Sequence, residues 1–91
     1  MKNRSSADII RDAKAAVMRG EYRLAIKHIE QVMTLLKFDY EAGIDRERNG
    51  RAFNALARVR KDLIAGHLSE ESYATLRIER PAPKKPEKIT I

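Results

Sequence analysis

A chain of 91 residues, 43% of them hydrophobic and 35% charged, has the size and composition of one small globular domain. The absence of cysteine excludes disulfide bonds, thiolate metal sites and a cysteine nucleophile. No apolar run approaches the roughly 18 residues of a membrane-spanning helix, and the net charge of +6 favours acidic partners.

A first helix is predicted over residues 7–19. Ser5 or Ser6 is a natural N-cap, because a serine hydroxyl can accept hydrogen bonds from the first free backbone N–H groups of a helix. Gly20 supplies a stop, since glycine readily adopts the positive φ that ends many helices. The apolar residues recur at helical spacing: Ile10, Ala13 and Val17.

The second predicted helix runs from Glu21 to about Tyr40 and carries a wide apolar stripe at helical spacing. Ala25 is expected to mark a close crossing with the first helix. Leu24, Leu35 and Phe38 lie outside the stripe. We therefore expect this helix to contact neighbours on two sides, or to contact a second copy of the chain.

A third helix allows two starting points. Asp45 could cap a helix that continues to Ala65, or the helix could begin after a turn at Asn49-Gly50. We favour the longer helix, in which Gly50 costs about 1 kcal/mol of stability. Its apolar stripe consists of Ala52, Leu56, Val59 and Leu63.

A short fourth helix is predicted from the N-cap Ser69 to about Arg80, with Glu70 and Glu71 favourably placed in its first turn. Three prolines within residues 81–86 then favour an extended path. The prediction is thus an all-α fold, a small three- to four-helix bundle over residues 1–80 with an extended Pro/Lys-rich tail over 81–91. The predicted core consists of Tyr22, Ile26, Ile29, Met33, Leu36, Leu56, Val59 and Leu63.

Residues 13–36 resemble the middle of a tetratricopeptide helical hairpin. Gly20, Tyr22 and Ala25 stand at the spacing of that family's small-x-aromatic-x-x-Ala signature. Three-helix microtubule-interacting-and-transport domains begin in a similar way and fit the helix count better. Both resemblances imply a helical hairpin, and neither identifies peptide-binding residues in this chain.

A second resemblance covers residues 59–77, which are similar to the SHOCT-type short helical hairpin of many bacterial proteins. It rests on Gly66, Leu68, Ser69, Glu71 and Tyr73. This resemblance implies a small association module without catalysis.

The third predicted helix carries basic residues on one face, namely Arg48, Arg51, Arg58 and Lys61. Such a stripe can follow phosphates or enter a major groove. The alternative is that acidic neighbours neutralise it in weak surface ion pairs. The candidate acidic partners are Asp45, Glu47 and Asp62.

No catalytic, cofactor-binding or metal-ligating residue is predicted. His28 and His67 lie in different elements, and neither has a metal-ligand partner three or four residues away. The serines are interpreted as caps or helix-surface residues. The acidic pair Glu70-Glu71 is interpreted as a dipole-compensating helix start rather than a catalytic pair.

The leading functional hypothesis is a small non-catalytic helical protein–protein interaction or regulatory module, self-associating as a homodimer or higher oligomer. Its expected contact residues are Leu24, Leu35, Phe38, Ile89 and Ile91. A basic DNA- or RNA-binding protein is the alternative, and a small phage-type inhibitor of a larger enzyme or complex is the third hypothesis. The N-terminus lacks the apolar stretch of a secretory signal, so a cytoplasmic location is expected.

Overall fold

The computed structural model describes residues 5–78, and within that range it contains four helices and no strand. The helices are α1 (Ser6–Met18), α2 (Tyr22–Glu41), α3 (Arg46–Ala65) and α4 (Glu70–Leu76). The predicted all-α bundle is confirmed. The predicted tail over 81–91 lies outside the described residues.

Serine side chains cap the N-termini of two helices, as their sequence positions predict. Ser5 Oγ accepts a hydrogen bond of 3.2 Å from the backbone N–H of Asp8, and Ser69 Oγ accepts one of 3.2 Å from Ser72. The prediction that Asp45 caps α3 is wrong, because its backbone is left-handed with φ of 40° and its side chain makes no cap hydrogen bond. An N-cap side chain normally reaches the helix from extended backbone.

Glycines with positive φ follow the first three helices, whereas α4 ends differently. Its left-handed terminal residue is Arg77, with φ of 59°. The Ile78 N–H then donates to the Tyr73 carbonyl at 2.9 Å and closes the helix end. The helix therefore stops at Leu76 instead of the predicted Arg80, at a position that no glycine or proline marks.

Gly50 lies inside α3, which confirms the longer of the two predicted helices. A Cβ atom at this position would lie 3.3 Å from Cε2 of Tyr40 on α2. The guanidinium carbon of Arg46 also lies near that ring, 4.4 Å from its centroid. The missing side chain thus gives the Tyr40 ring room against α3 near the connection of the two helices.

Helix α2 is the centre of the fold, since it packs against both α1 and α3, while α4 packs against α3. Four of the predicted core residues are buried: Ile29, Leu56, Val59 and Leu63. The other four are only partly buried against this core: Tyr22, Ile26, Met33 and Leu36. On α2 the most enclosed positions belong instead to Ala25, Ile29 and Val32.

Small residues bring α1 and α2 together. Ala13 and Ala16 on α1 and Ala25 on α2 are all fully buried in one core cluster. A methyl side chain lets two helix backbones approach closely, which turns the α1-facing side of α2 into the interior. The partly buried residues of α2 therefore lie at the edges of the core.

The core occupies one end of the α2–α3 hairpin. The buried residues of α2 lie within 25–32 and those of α3 within 56–63. Every residue from 37 to 48 is exposed. The other end of the hairpin, where α2 is connected to α3, is therefore not covered by α1 or α4.

Candidate functional site

The side of α2 that faces away from α3 carries large apolar side chains in contact with solvent. Leu24 and Leu35 are each 39% exposed, and Phe38 is 65% exposed. His28 and Gln31 continue the same line, because the spacing along Leu24, His28, Gln31, Leu35 and Phe38 alternates between four and three residues. We call these five residues the outer stripe.

The outer stripe is separate from the buried side of α2. At 100° per residue, its centre lies roughly 120° around the helix axis from the line of Ala25, Ile29 and Leu36. Its apolar members Leu24, Leu35 and Phe38 are therefore exposed, whereas His28, on the edge nearer the core residue Val32, is half-buried.

A shallow depression runs along the first half of the outer stripe. Its lining includes Leu24, Lys27, His28, Gln31 and Thr34. Nδ1 of His28 is buried there, and no hydrogen-bond partner for it is found within residues 5–78. The stripe thus has a polar middle between its apolar ends.

A second depression lies at the exposed end of the α2–α3 hairpin. Leu36 and Tyr40 from α2 and Gly50 and Phe53 from α3 form its apolar wall. Ile44, in the connection between these helices, is 53% exposed nearby in sequence. The exposed end of the hairpin therefore carries apolar surface of its own, on the side of α2 that faces α3.

The basic face predicted on α3 exists, but acidic residues neutralise half of it. Arg51 pairs with Glu47 at 3.3 Å, and Arg58 pairs with Glu71 of α4. Arg48 and Lys61 are exposed, and no ion pair for either occurs among the described residues. The predicted surface pairing is therefore seen for Glu47, whereas Glu71 of α4 was not foreseen as a partner of Arg58.

Asp62 plays a different part from the predicted surface ion pair. Its Oδ2 accepts hydrogen bonds from the Ser72 hydroxyl at 2.6 Å, the Ser69 hydroxyl at 2.8 Å and the Ser69 backbone N–H at 3.0 Å. The Ser72 bond, followed by the two Ser69 bonds, lowers the pKa of Asp62 to about 2. Asp62 joins α3 to the start of α4, and the expectation that it neutralises an arginine is wrong.

The structure brings some of the predicted contact residues together and leaves others undescribed. Leu24, Leu35 and Phe38 share the outer stripe, while Ile89 and Ile91 lie outside the described residues. Sequence reasoning missed the polar members of the stripe, which are His28 and Gln31. The alternation of four and three residues from 24 to 38 is the signal that would have found them.

Comparison with models of known protein families, with curated proteins and with solved structures finds no match to this chain. Within residues 5–78, no group of three or more His, Cys, Asp or Glu side chains is placed to hold a metal ion. In the same range, no helix combines the length and the apolar character needed to cross a membrane.

Proposed function

We propose that this protein is a small non-catalytic helical interaction module that associates with itself through the outer stripe of α2. The observation that carries the proposal is the exposure of Leu24, Leu35 and Phe38 along one line of α2, apart from the sides that pack against α1 and α3. Concentrated apolar surface of this kind is typical of protein interfaces.

The form of the outer stripe favours a second copy of this chain as its partner. A helix face with apolar residues at both ends can pack against the same face of a second copy in a twofold pair. The alternating spacing of four and three residues is also the spacing of two helices that pack side by side.

Sedimentation velocity over a range of protein concentrations tests the proposal. We expect the wild type to associate, and we expect Leu35→Glu and Phe38→Glu to shift it toward monomer, because each places a charge in the buried interface. Ile64→Glu is the matched control, since Ile64 is 59% exposed but lies on α3. A wild type that stays monomeric at tens of micromolar contradicts the proposal.

A second candidate function is nucleic-acid binding by the basic face of α3. It is supported by the exposure of Arg48 and Lys61, by the lack of an ion pair for either within the described part of the chain, and by the net charge of +6. The pairing of Arg51 and Arg58 with acidic residues weakens this candidate relative to the first.

Filter binding of duplex DNA and of RNA at two salt concentrations tests the second candidate. Replacing Arg51, Arg58 and Lys61 with Gln should weaken binding. It should also lower the slope of log K against log salt by about 0.9 for each duplex phosphate that the variant no longer neutralises. Absence of binding by the wild type at low salt removes this candidate.

A further inference from the structure

The outer stripe has the form of a seam between two paired helices. Its five residues keep to the positions that two supercoiled helices present to each other, and Ala42 continues the series just after the last turn of α2. Both ends of this seam are apolar, with Leu24 at one end and Phe38 and Ala42 at the other.

The charges beside the seam have opposite signs at its two ends. Lys27 and Glu41 lie on the same edge, two heptads apart, with Thr34 midway between them. Among residues 5–78 neither charge has a hydrogen bond or an ion pair. Glu30, the acidic residue nearest Lys27 on this helix, is bound instead by Nε of Arg60 at 2.7 Å.

From this arrangement we infer that two copies pair their outer stripes antiparallel, about a twofold axis that passes beside Thr34. In that register Lys27 of each copy faces Glu41 of the other, and two such pairs form. The inference rests on the proposed function, and it specifies the partner, the direction and the alignment of the interface.

The same register gives each residue of the seam an opposing residue. Leu24 lies opposite Ala42 of the other copy, His28 opposite its Phe38, and Gln31 opposite its Leu35. The polar His28 and Gln31 thus each lie against an apolar partner. Because the pair is twofold-symmetric, each of these opposing contacts occurs twice.

Other alignments lose the charge complementarity. In a parallel pair, Lys27 would face Val32 of the second copy, and Val32 is only 2% exposed because it belongs to the core. An antiparallel pair shifted by one heptad would place Thr34 opposite Lys27 or Glu41. Only the register centred on Thr34 matches each charge with its opposite.

Charge exchange tests this register. Lys27→Glu and Glu41→Lys each turn two attractive pairs into two repulsive ones, so each should raise the dimer dissociation constant roughly tenfold. The double variant K27E/E41K recreates both attractive pairs with the signs exchanged. It should therefore return the dissociation constant close to the wild-type value, as measured by sedimentation equilibrium at low salt.

Lys37→Glu is the control for K27E, because it changes the net charge equally at an exposed position on another side of α2. It should leave the dissociation constant close to that of the wild type. If the double variant loses its helical circular dichroism signal, an equimolar mixture of the two single variants replaces it. That mixture should associate more tightly than either single variant alone, since each mixed pair again joins opposite charges.

The failure of the register and the failure of the proposed function are distinguishable. A wild type that dimerises while K27E/E41K remains as weak as the single variants overturns the antiparallel register and leaves self-association in place. A monomeric wild type overturns both.

Discussion

Asp62 shows how a single side chain can hold two helices of this protein together. Three hydrogen-bond donors from Ser69 and Ser72 converge on one of its oxygens, and Ser72 is fully buried. The Ser69 hydroxyl also caps α4. The start of α4 is therefore fixed to α3 by a carboxylate as well as by apolar packing.

This arrangement predicts a pH dependence of stability. Because the hydrogen bonds lower the pKa of Asp62 from its ordinary value of 3.8 to about 2 in the folded chain, the carboxylate stabilises the fold fully above about pH 5. The contribution is lost as the pH falls from about 4 to about 2. Asp62→Asn should lower the denaturant midpoint near neutral pH, and the difference from the wild type should shrink over that range.

Asp39→Asn is the control for this prediction. Asp39 is an exposed carboxylate on α2, and no side-chain hydrogen bond of it is found in the described range. The denaturant midpoint of the Asp39→Asn variant should equal that of the wild type at every pH. A difference between Asp62→Asn and the wild type that stays constant from neutral pH to about pH 2 would contradict the assigned role of Asp62.

Between elements, the contact of α1 with α2 depends on small side chains. Ala13, Ala16 and Ala25 are fully buried, so this interface has no space for a larger residue without movement of a helix. Leu24, the neighbour of Ala25 in sequence, points about 100° further around the helix and is 39% exposed.

Ala25→Leu should therefore overpack the contact and cost about 1–3 kcal/mol of folding free energy. Urea unfolding followed by circular dichroism measures the change. Ala7→Leu makes the same substitution at an exposed position of α1 and should have little effect. An unchanged midpoint for Ala25→Leu would show that Ala25 does not mark a close crossing.

For the molecule as a whole, the sequence beyond the described residues bears on association. Residues 82–91 carry Ile89 and Ile91, whose side chains would point the same way in an extended chain. The sequence thus offers two further apolar anchors next to a domain that already exposes an apolar stripe.

We predict that deleting residues 82–91 weakens self-association and leaves the helix content nearly unchanged. Sedimentation equilibrium and circular dichroism of the shortened chain test both parts. Equal dissociation constants for the full and shortened chains would restrict the interface to the helical domain. The charge-exchange experiment on Lys27 and Glu41 would remain valid in either case.

Most of the helices follow from the order of the residues alone. Periodicity located α1, α2 and α3 to within one or two residues, because a buried helix face must repeat its apolar residues near 3.6 positions. Ser5 and Ser69 marked helix starts, since capping depends on local backbone geometry. The end of α4 was not predictable in this way, because Arg77 occupies a conformation that normally favours glycine.

Tertiary packing, in contrast, sets which polar residues act together and which apolar residues remain exposed. Asp62 and Ser72 lie ten positions apart in different helices, and the turn between α3 and α4 alone brings them into contact. Likewise, the apolar residues of α2 outnumber the positions that two neighbouring helices can cover. The approach of α1 on the Ala25 side assigned Val32 to the core and left Phe38 in solvent, because a helix buries only the sides on which another element packs.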